Sequence, residues 1–186
     1  MATADLPAER GNVDGREEVL EGGGTTVVTR VGQTVRRPLR PWSAAVHRLL
    51  EHLRAAGFAG APRFLGTDGV REILDYIEGE VGNYPLPEQA RGERALASAA
   101  RLMRSYHDAT VALADQRPDG WQLPPIEPVE VVCHGDFAPY NCVVCARIEH
   151  PEGPGGGAWG RVEHPEGLGG GAWGRVEHPE GLGGGA

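Results

Sequence analysis

The sequence predicts an α+β fold built from two units and followed by a glycine-rich tail. The first eighty residues are rich in strand-forming runs around a single amphipathic helix. After a short proline-containing link the composition becomes helical, and from Arg147 the chain repeats itself with a 14-residue period. Because composition changes across a short linker, we expect two lobes with a cleft between them.

The first unit is predicted over residues 18–82, after a flexible N-terminus of residues 1–17. Two β-rich runs flank three consecutive glycines, which predicts strand, glycine turn and strand. A helix follows from Ser43, a residue type that caps helices, and ends at Gly57. A further hairpin turns at Asp68-Gly69, so this unit is predicted as ββαββ.

The second unit, residues 83–146, is predicted as a partial helical lobe. Its long helix has apolar residues along one stripe at helical spacing; they are Leu96, Ala99, Ala100, Met103, Tyr106 and Ala109. Short β-like runs at 129–132 and 142–145 enclose the segment HGDFAPYN. A loop between two short strands is a usual position for functional side chains.

The tail, residues 147–186, consists of near-identical glycine-rich copies with one Trp in each of the first two. Ordering so much glycine costs conformational entropy and buries little, so we expect disorder. One histidine per copy leaves weak metal binding as an alternative. A tandem repeat in the DNA, read in a shifted frame, is the simpler explanation.

Composition excludes several classes of partner. The chain contains no Lys and has a formal net charge of -8, which is unlike a nucleic-acid binder. Its N-terminus lacks the apolar core of a signal peptide, and no run approaches the roughly 20 apolar residues of a membrane span. We therefore expect a cytoplasmic protein with no nucleic-acid or membrane partner; the oligomeric state is left open. The motif C-x-x-C at Cys142 and Cys145 has no second cysteine pair, which favours small buried thiols over zinc or redox chemistry.

The most specific motif is His134-Gly135-Asp136, with Asn141 five residues beyond the aspartate. The protein-kinase loop H-R-D-x-x-x-x-N has the same spacing, with Asp as the base and Asn as a metal ligand. Phosphoryl transfer needs a carboxylate at the attacking oxygen and a nearby acceptor for the metal. The alternative is an ordinary turn after a buried strand.

The segment VVCHGDFAPYNCVV closely resembles the catalytic loop of aminoglycoside and choline phosphotransferases, and the resemblance extends over residues 18–146. It implies a protein-kinase-like two-lobe fold and transfer of the ATP γ-phosphate, with Mg²⁺, to the hydroxyl of a small molecule. By this resemblance Asp136 is the base, His134 supports the loop and Asn141 ligates the metal. The residues implied to bind ATP are Gly22, Gly23, Gly24, Arg36, Arg37, Ile77 and Gly79; an ordinary hairpin turn is the alternative for the glycines.

Three departures from that family weaken the predicted activity. The lysine that normally holds the α- and β-phosphates is missing, so Arg36 or Arg37 would have to replace it. Its acidic partner has no clear counterpart, with His47 and Glu51 as candidates on the first helix. Asp136 is the last aspartate, so the second magnesium-binding carboxylate is absent and the C-terminal lobe is incomplete. We expect an impaired or inactive phosphotransferase, with a pseudokinase-like nucleotide-binding module or a non-functional frameshifted fragment as alternatives.

Overall fold

The computed structural model describes residues 16–20, 27–145, 158–162 and 173–174. Ten strands and two α-helices are present among these residues. The fold is α+β, as the sequence predicts. The predicted glycine turn at Gly22, Gly23 and Gly24 lies outside the described residues.

A five-stranded antiparallel sheet forms the first unit. Its strands are β1 (Glu18–Leu20), β2 (Val28–Val31), β3 (Thr34–Pro38), β4 (Phe64–Thr67) and β5 (Arg71–Asp75), in the order β1-β2-β3-β5-β4. The sequence predicted one strand fewer before the helix. The run after the glycines folds back on itself at Gly32, whose positive φ of 60° permits the two-residue turn between Val31 and Thr34.

Helix α1 (Ser43–Ala55) covers one face of this sheet. Leu49, Leu50 and Leu53 are each 1% exposed, and complete burial of such side chains contributes about 1.5–3 kcal/mol each. Ser43 was predicted to cap this helix, but it is the first helical residue. Its hydroxyl instead accepts a hydrogen bond from the backbone N–H of Arg40 at 2.9 Å. The helix ends at Ala55, and Gly57, the residue predicted to end it, follows two residues later with a φ of +75°.

Helix α2 (Gly92–Asp115) confirms the predicted long helix, and Tyr106, Ala99 and Ala109 of the predicted stripe pack against the core. Its buried residues are Ala95, Ser98, Tyr106, Thr110, Leu113 and Ala114. Leu96 was predicted in the buried stripe and is 72% exposed. The buried face also carries a polar group: the Thr110 hydroxyl accepts the N–H of Val132 at 3.2 Å and donates to the carbonyl of His107 at 3.0 Å.

One hydrophobic cluster joins the two predicted units. It combines Leu49, Leu53 and Leu74 from the first unit with Tyr106 and Leu113 of α2. Val132 also belongs to it and lies in the short strand β7 (Val131–Val132). The core of the first unit therefore continues directly under the segment that leads into His134.

A second, smaller sheet carries the segment after the loop. It has the order β6-β8-β9, with β6 spanning Glu80–Val81, β8 Cys142–Cys145 and β9 Ala158–Val162. Strand β10 (Trp173–Gly174) pairs with β7. The tail was expected to be disordered, and the structure differs from this expectation at β9 and β10. Both strands contain the Trp-Gly pair of a repeat copy. Each pairs with the edge of another strand, β9 with β8 and β10 with β7.

No helix in the described part of the chain combines the length and the apolar character needed to cross a membrane.

Candidate functional site

The loop between β7 and β8, residues 133–141, brings three predicted site residues together. His134, Asp136 and Asn141 lie on one short segment whose two ends are fixed by buried strands. Gly135 has φ +85°, a left-handed conformation that glycine adopts without steric cost. A turn of 3₁₀-helix, Pro139–Asn141, then returns the chain to β8.

Asp136 is exposed, and its carboxylate is oriented by two neighbouring side chains. The Asn141 side-chain amide donates to Asp136 Oδ2 at 2.8 Å and to the Asp136 backbone carbonyl at 2.7 Å. The Tyr140 hydroxyl donates to Asp136 Oδ1 at 3.0 Å. A carboxylate held in this way faces solvent in one orientation and remains able to accept further hydrogen bonds.

Asn141 is the anchor of this arrangement because it is 2% exposed. Its backbone N–H donates to the carbonyl of Ala138 at 2.9 Å, and its side chain closes the loop onto Asp136. Both bonds to Asp136 use the amide nitrogen, so the amide oxygen remains as a hydrogen-bond acceptor or ligand.

His134 lies beneath the loop and is 5% exposed. Its ring makes edge contacts with Tyr106, at a centroid distance of 6.3 Å, and with Phe137, at 5.7 Å. Burial lowers the pKa of His134 to about 4, although the charge of Asp136 and a backbone hydrogen bond with Asp136 act in the opposite direction. The ring is therefore neutral near pH 7 and supports the loop by packing.

Of the cysteines around the loop, Cys142 is buried and Cys133 is half-buried. Cys133 and Cys142 are free, and burial raises the pKa of both thiols, that of Cys142 to about 12. A protonated thiol is a poor nucleophile and a poor metal ligand. Within the described residues no group of three or more His, Cys, Asp or Glu side chains is placed to hold a metal ion.

Arg36 and Arg37 lie on β3, and adjacent strand residues point to opposite faces of a sheet. Arg36 forms an ion pair with Asp68, in which Nη1 of the arginine lies 3.5 Å from Oδ2 of the aspartate. Arg37 is buried against α1, where it forms an ion pair with Glu72 of β5. The two arginines therefore cannot serve the same ligand from one face, and Arg37 already faces a carboxylate.

Sequence reasoning missed Glu72, which is 3% exposed and contacts both an arginine and a histidine side chain. Its Oε1 accepts from Arg37 Nε, and its Oε2 lies 2.7 Å from His47 Nε2 on α1. The His47 ring stacks on Phe64 at a centroid distance of 3.8 Å. Of the two candidate partners for the arginine, His47 thus reaches the cluster and Glu51 is exposed. The alternation of β5, with Leu74 two residues later on the same buried face, was the available signal.

Gly79, one of the two predicted hinge residues, lies beside the strand that follows the loop. Ile77 is 3% exposed, and Gly79 directly precedes β6, which pairs with β8. A Cβ atom at Gly79 would lie 2.5 Å from Val143 Cγ1 and 2.6 Å from the Val144 carbonyl oxygen. The absence of a side chain at Gly79 is therefore required for packing against β8.

These features define a mixed α/β protein with an ordered loop that presents one fixed carboxylate. Among proteins of known role, the chain is similar to the Trifolitoxin immunity protein of Rhizobium leguminosarum bv. trifolii. The two are 39% identical over 136 residues, which cover 69% of this chain and 50% of the relative. The chain thus spans about half the length of this relative. No protein-family model matches the chain.

This similarity corrects the interpretation drawn from the loop. The relative is named for immunity, which points to a different family than the aminoglycoside phosphotransferases. The prediction of an ATP-dependent phosphotransferase was therefore wrong, as was its classification as a kinase. It depended on the spacing between Asp136 and Asn141 and on short flanking segments, and such short motifs recur in proteins of different function.

Proposed function

We propose that this chain confers immunity to a toxin. The observation that carries the proposal is the similarity to the Trifolitoxin immunity protein, at 39% identity over 136 residues. Because the chain spans half of that relative, the proposal concerns the function of the shared part.

In this proposal the loop of residues 133–141 binds the toxin. Asp136 offers an exposed carboxylate whose orientation is set by Tyr140 and Asn141. Such a group accepts hydrogen bonds from an ammonium, amide or hydroxyl group of a ligand, and its restricted motion lowers the entropy lost on binding. A small molecule with a hydroxyl group, the partner predicted from the sequence, has the required donor.

Binding of ATP and Mg²⁺ is a separate proposal and does not depend on phosphoryl transfer. Its support is limited to the oxygen atoms of Asp136 and Asn141, since Mg²⁺ prefers oxygen ligands and commonly uses one or two carboxylates. The Asp136 carboxylate faces the amide nitrogen of Asn141, so Asn141 would act through its amide oxygen, which these hydrogen bonds do not use.

The protein-kinase-like two-lobe arrangement is kept as a proposal about architecture alone. Its support is the order of the elements: a five-stranded antiparallel sheet with one helix is followed by a long helix and by a polar loop between short strands. Architecture does not determine chemistry, so this proposal carries no activity.

The function is tested by expressing the chain in the cytoplasm, its predicted location, of cells that trifolitoxin inhibits. We expect the chain to raise the toxin concentration that stops growth, and Asp136→Asn to lower this protection at least about tenfold, as loss of a charged hydrogen-bonding group does. Asp119→Asn is the matched control, because Asp119 is a fully exposed carboxylate remote in sequence from the loop.

Two results would contradict the proposal in different ways. If soluble, folded chain gives no protection, the immunity function is wrong. If Asp136→Asn protects as well as the unaltered chain, immunity does not act through the loop. Calorimetry of the purified chain with the toxin, and separately with ATP in the presence and absence of Mg²⁺, distinguishes a bound toxin from a bound nucleotide.

A further inference from the structure

The tail contains the same pentapeptide, Ala-Trp-Gly-Arg-Val, at residues 158–162 and 172–176. The first copy coincides with β9, and the second contains β10. Both described strands of the tail therefore lie within copies of the same short sequence.

Strands β9 and β10 each lie beside one of the two strands that bound the loop. Strand β9 pairs antiparallel with the whole of β8, from Cys142 opposite Val162 to Cys145 opposite Ala158. Strand β10 pairs antiparallel with β7, with Trp173 opposite Val132. Strand β7 ends two residues before His134, and β8 begins directly after Asn141.

These pairings supply most of the sheet structure around the loop. In the described part of the chain, β7 and β10 form a sheet of two strands, so β10 is the strand partner that β7 has there. The other neighbour of β8 is β6, which pairs with it at two positions only. Strand β9 also lies against α2. An unpaired strand edge exposes N–H and C=O groups that readily accept another strand.

We propose that the repeat is an intramolecular strand donor: its pentapeptides close the open edges of β7 and β8 and thereby hold Asp136 and Asn141 in place. The occupant of both edges is the tail of the same chain. Because the two copies have identical sequences, either copy fits the edge of β8. The repetition thus supplies two strands to two neighbouring edges.

Deletion of one repeat period, residues 158–171, tests the equivalence of the copies. It joins residue 157 to Ala172 and places the second pentapeptide where the first one was. By hydrogen exchange of the full chain and the deletion variant, we expect amide protection at Val143 and Val144 to be kept within about threefold. Protection at Val131 should fall by at least about tenfold because β7 loses its donor, whereas the Val132 N–H keeps the Thr110 hydroxyl as its acceptor. Loss of protection on β8, or unchanged protection at Val131, overturns the proposal.

A proline pair tests the pairing in a chain of full length. Arg161→Pro with Val162→Pro removes two consecutive N–H groups from β9. Consecutive N–H groups of a strand point to opposite edges, so one of the two is directed at β8. The matched control places two prolines at Glu166 and Gly167, between the copies. We expect protection of β8 to fall by about tenfold in the first variant alone; equal protection in both variants overturns the proposal.

The same samples distinguish donation within a chain from exchange between two chains. An intramolecular donor gives a monomer in light scattering and β8 protection that is independent of protein concentration. A dimer whose dissociation on dilution removes the protection of β8 would show that the donor comes from a second copy, which contradicts the proposal in this form.

Discussion

Removal of Glu72 should destabilise the protein more than removal of any exposed carboxylate. Glu72 is 3% exposed and lies between Arg37, which is 4% exposed, and His47 on α1. Truncation to alanine leaves the Arg37 guanidinium buried without this carboxylate. Breaking a buried ion pair by removing one partner costs about 3–5 kcal/mol, and we expect Glu72→Ala to lower the free energy of unfolding by that amount.

The assay is urea denaturation followed by circular dichroism, with Asp108→Ala as the matched control. Asp108 pairs with Arg104 on the exposed side of α2, and exposed pairs contribute roughly 0–1 kcal/mol. The double variant Arg37→Met with Glu72→Leu should recover most of the loss, because apolar side chains then replace both members of the buried ion pair.

A loss below about 1 kcal/mol for Glu72→Ala would refute this reasoning, since it would place the cluster among solvated surface pairs. A double variant that is less stable than Glu72→Ala would also contradict it. In that case the charges themselves, and not their compensation, would stabilise the interface of sheet and helix.

Three further predictions concern the loop and its supports. Thr110→Val should lower the free energy of unfolding by about 1–3 kcal/mol in the same assay, because the buried N–H of Val132 loses its acceptor. Thr110→Ser keeps a hydroxyl at this position and should retain most of the stability. His134 has a folded pKa of about 4 and an ordinary value of 6.5, so the unfolded chain binds the extra proton between these values. Stability should therefore rise with pH from 4 to 6.5, by up to roughly 3 kcal/mol, and a His134→Gln variant that keeps the same pH slope would contradict this. Gly79→Ala should cost more than Gly69→Ala by about 1–3 kcal/mol, since both positions have positive φ but a side chain at Gly69 meets no atom within 4 Å; equal losses would exclude the clash with β8.

The local character of each element was predictable because it depends on residues close in the sequence. The spacing of apolar residues predicted α1 and α2, and the Asp68-Gly69 pair predicted the turn between β4 and β5. The spacing of His134, Asp136 and Asn141 identified one loop, and the structure places these three residues together. The same short motif did not determine the function, since several functions are compatible with it.

The rotation of α2 was not predictable, because apolar residues occur on more than one side of this helix. Leu96 and Tyr106 were assigned to one stripe, yet Leu96 is 72% exposed and Tyr106 is 6% exposed. The buried face also includes Thr110, whose hydroxyl accepts the N–H of Val132. A hydrogen bond between residues 22 positions apart leaves no periodic signal in the sequence.

The sequence by itself determined the α+β class, the two helices and the loop with its carboxylate. These follow from periodicity, turn residues and short spacings, which act over a few residues. Tertiary structure alone decided that Glu72 joins Arg37 to His47, that Gly79 packs against β8, and that the tail pairs with β7 and β8. Contacts of this kind depend on which surfaces meet after the chain folds, and elements far apart in the sequence then provide one another's partners.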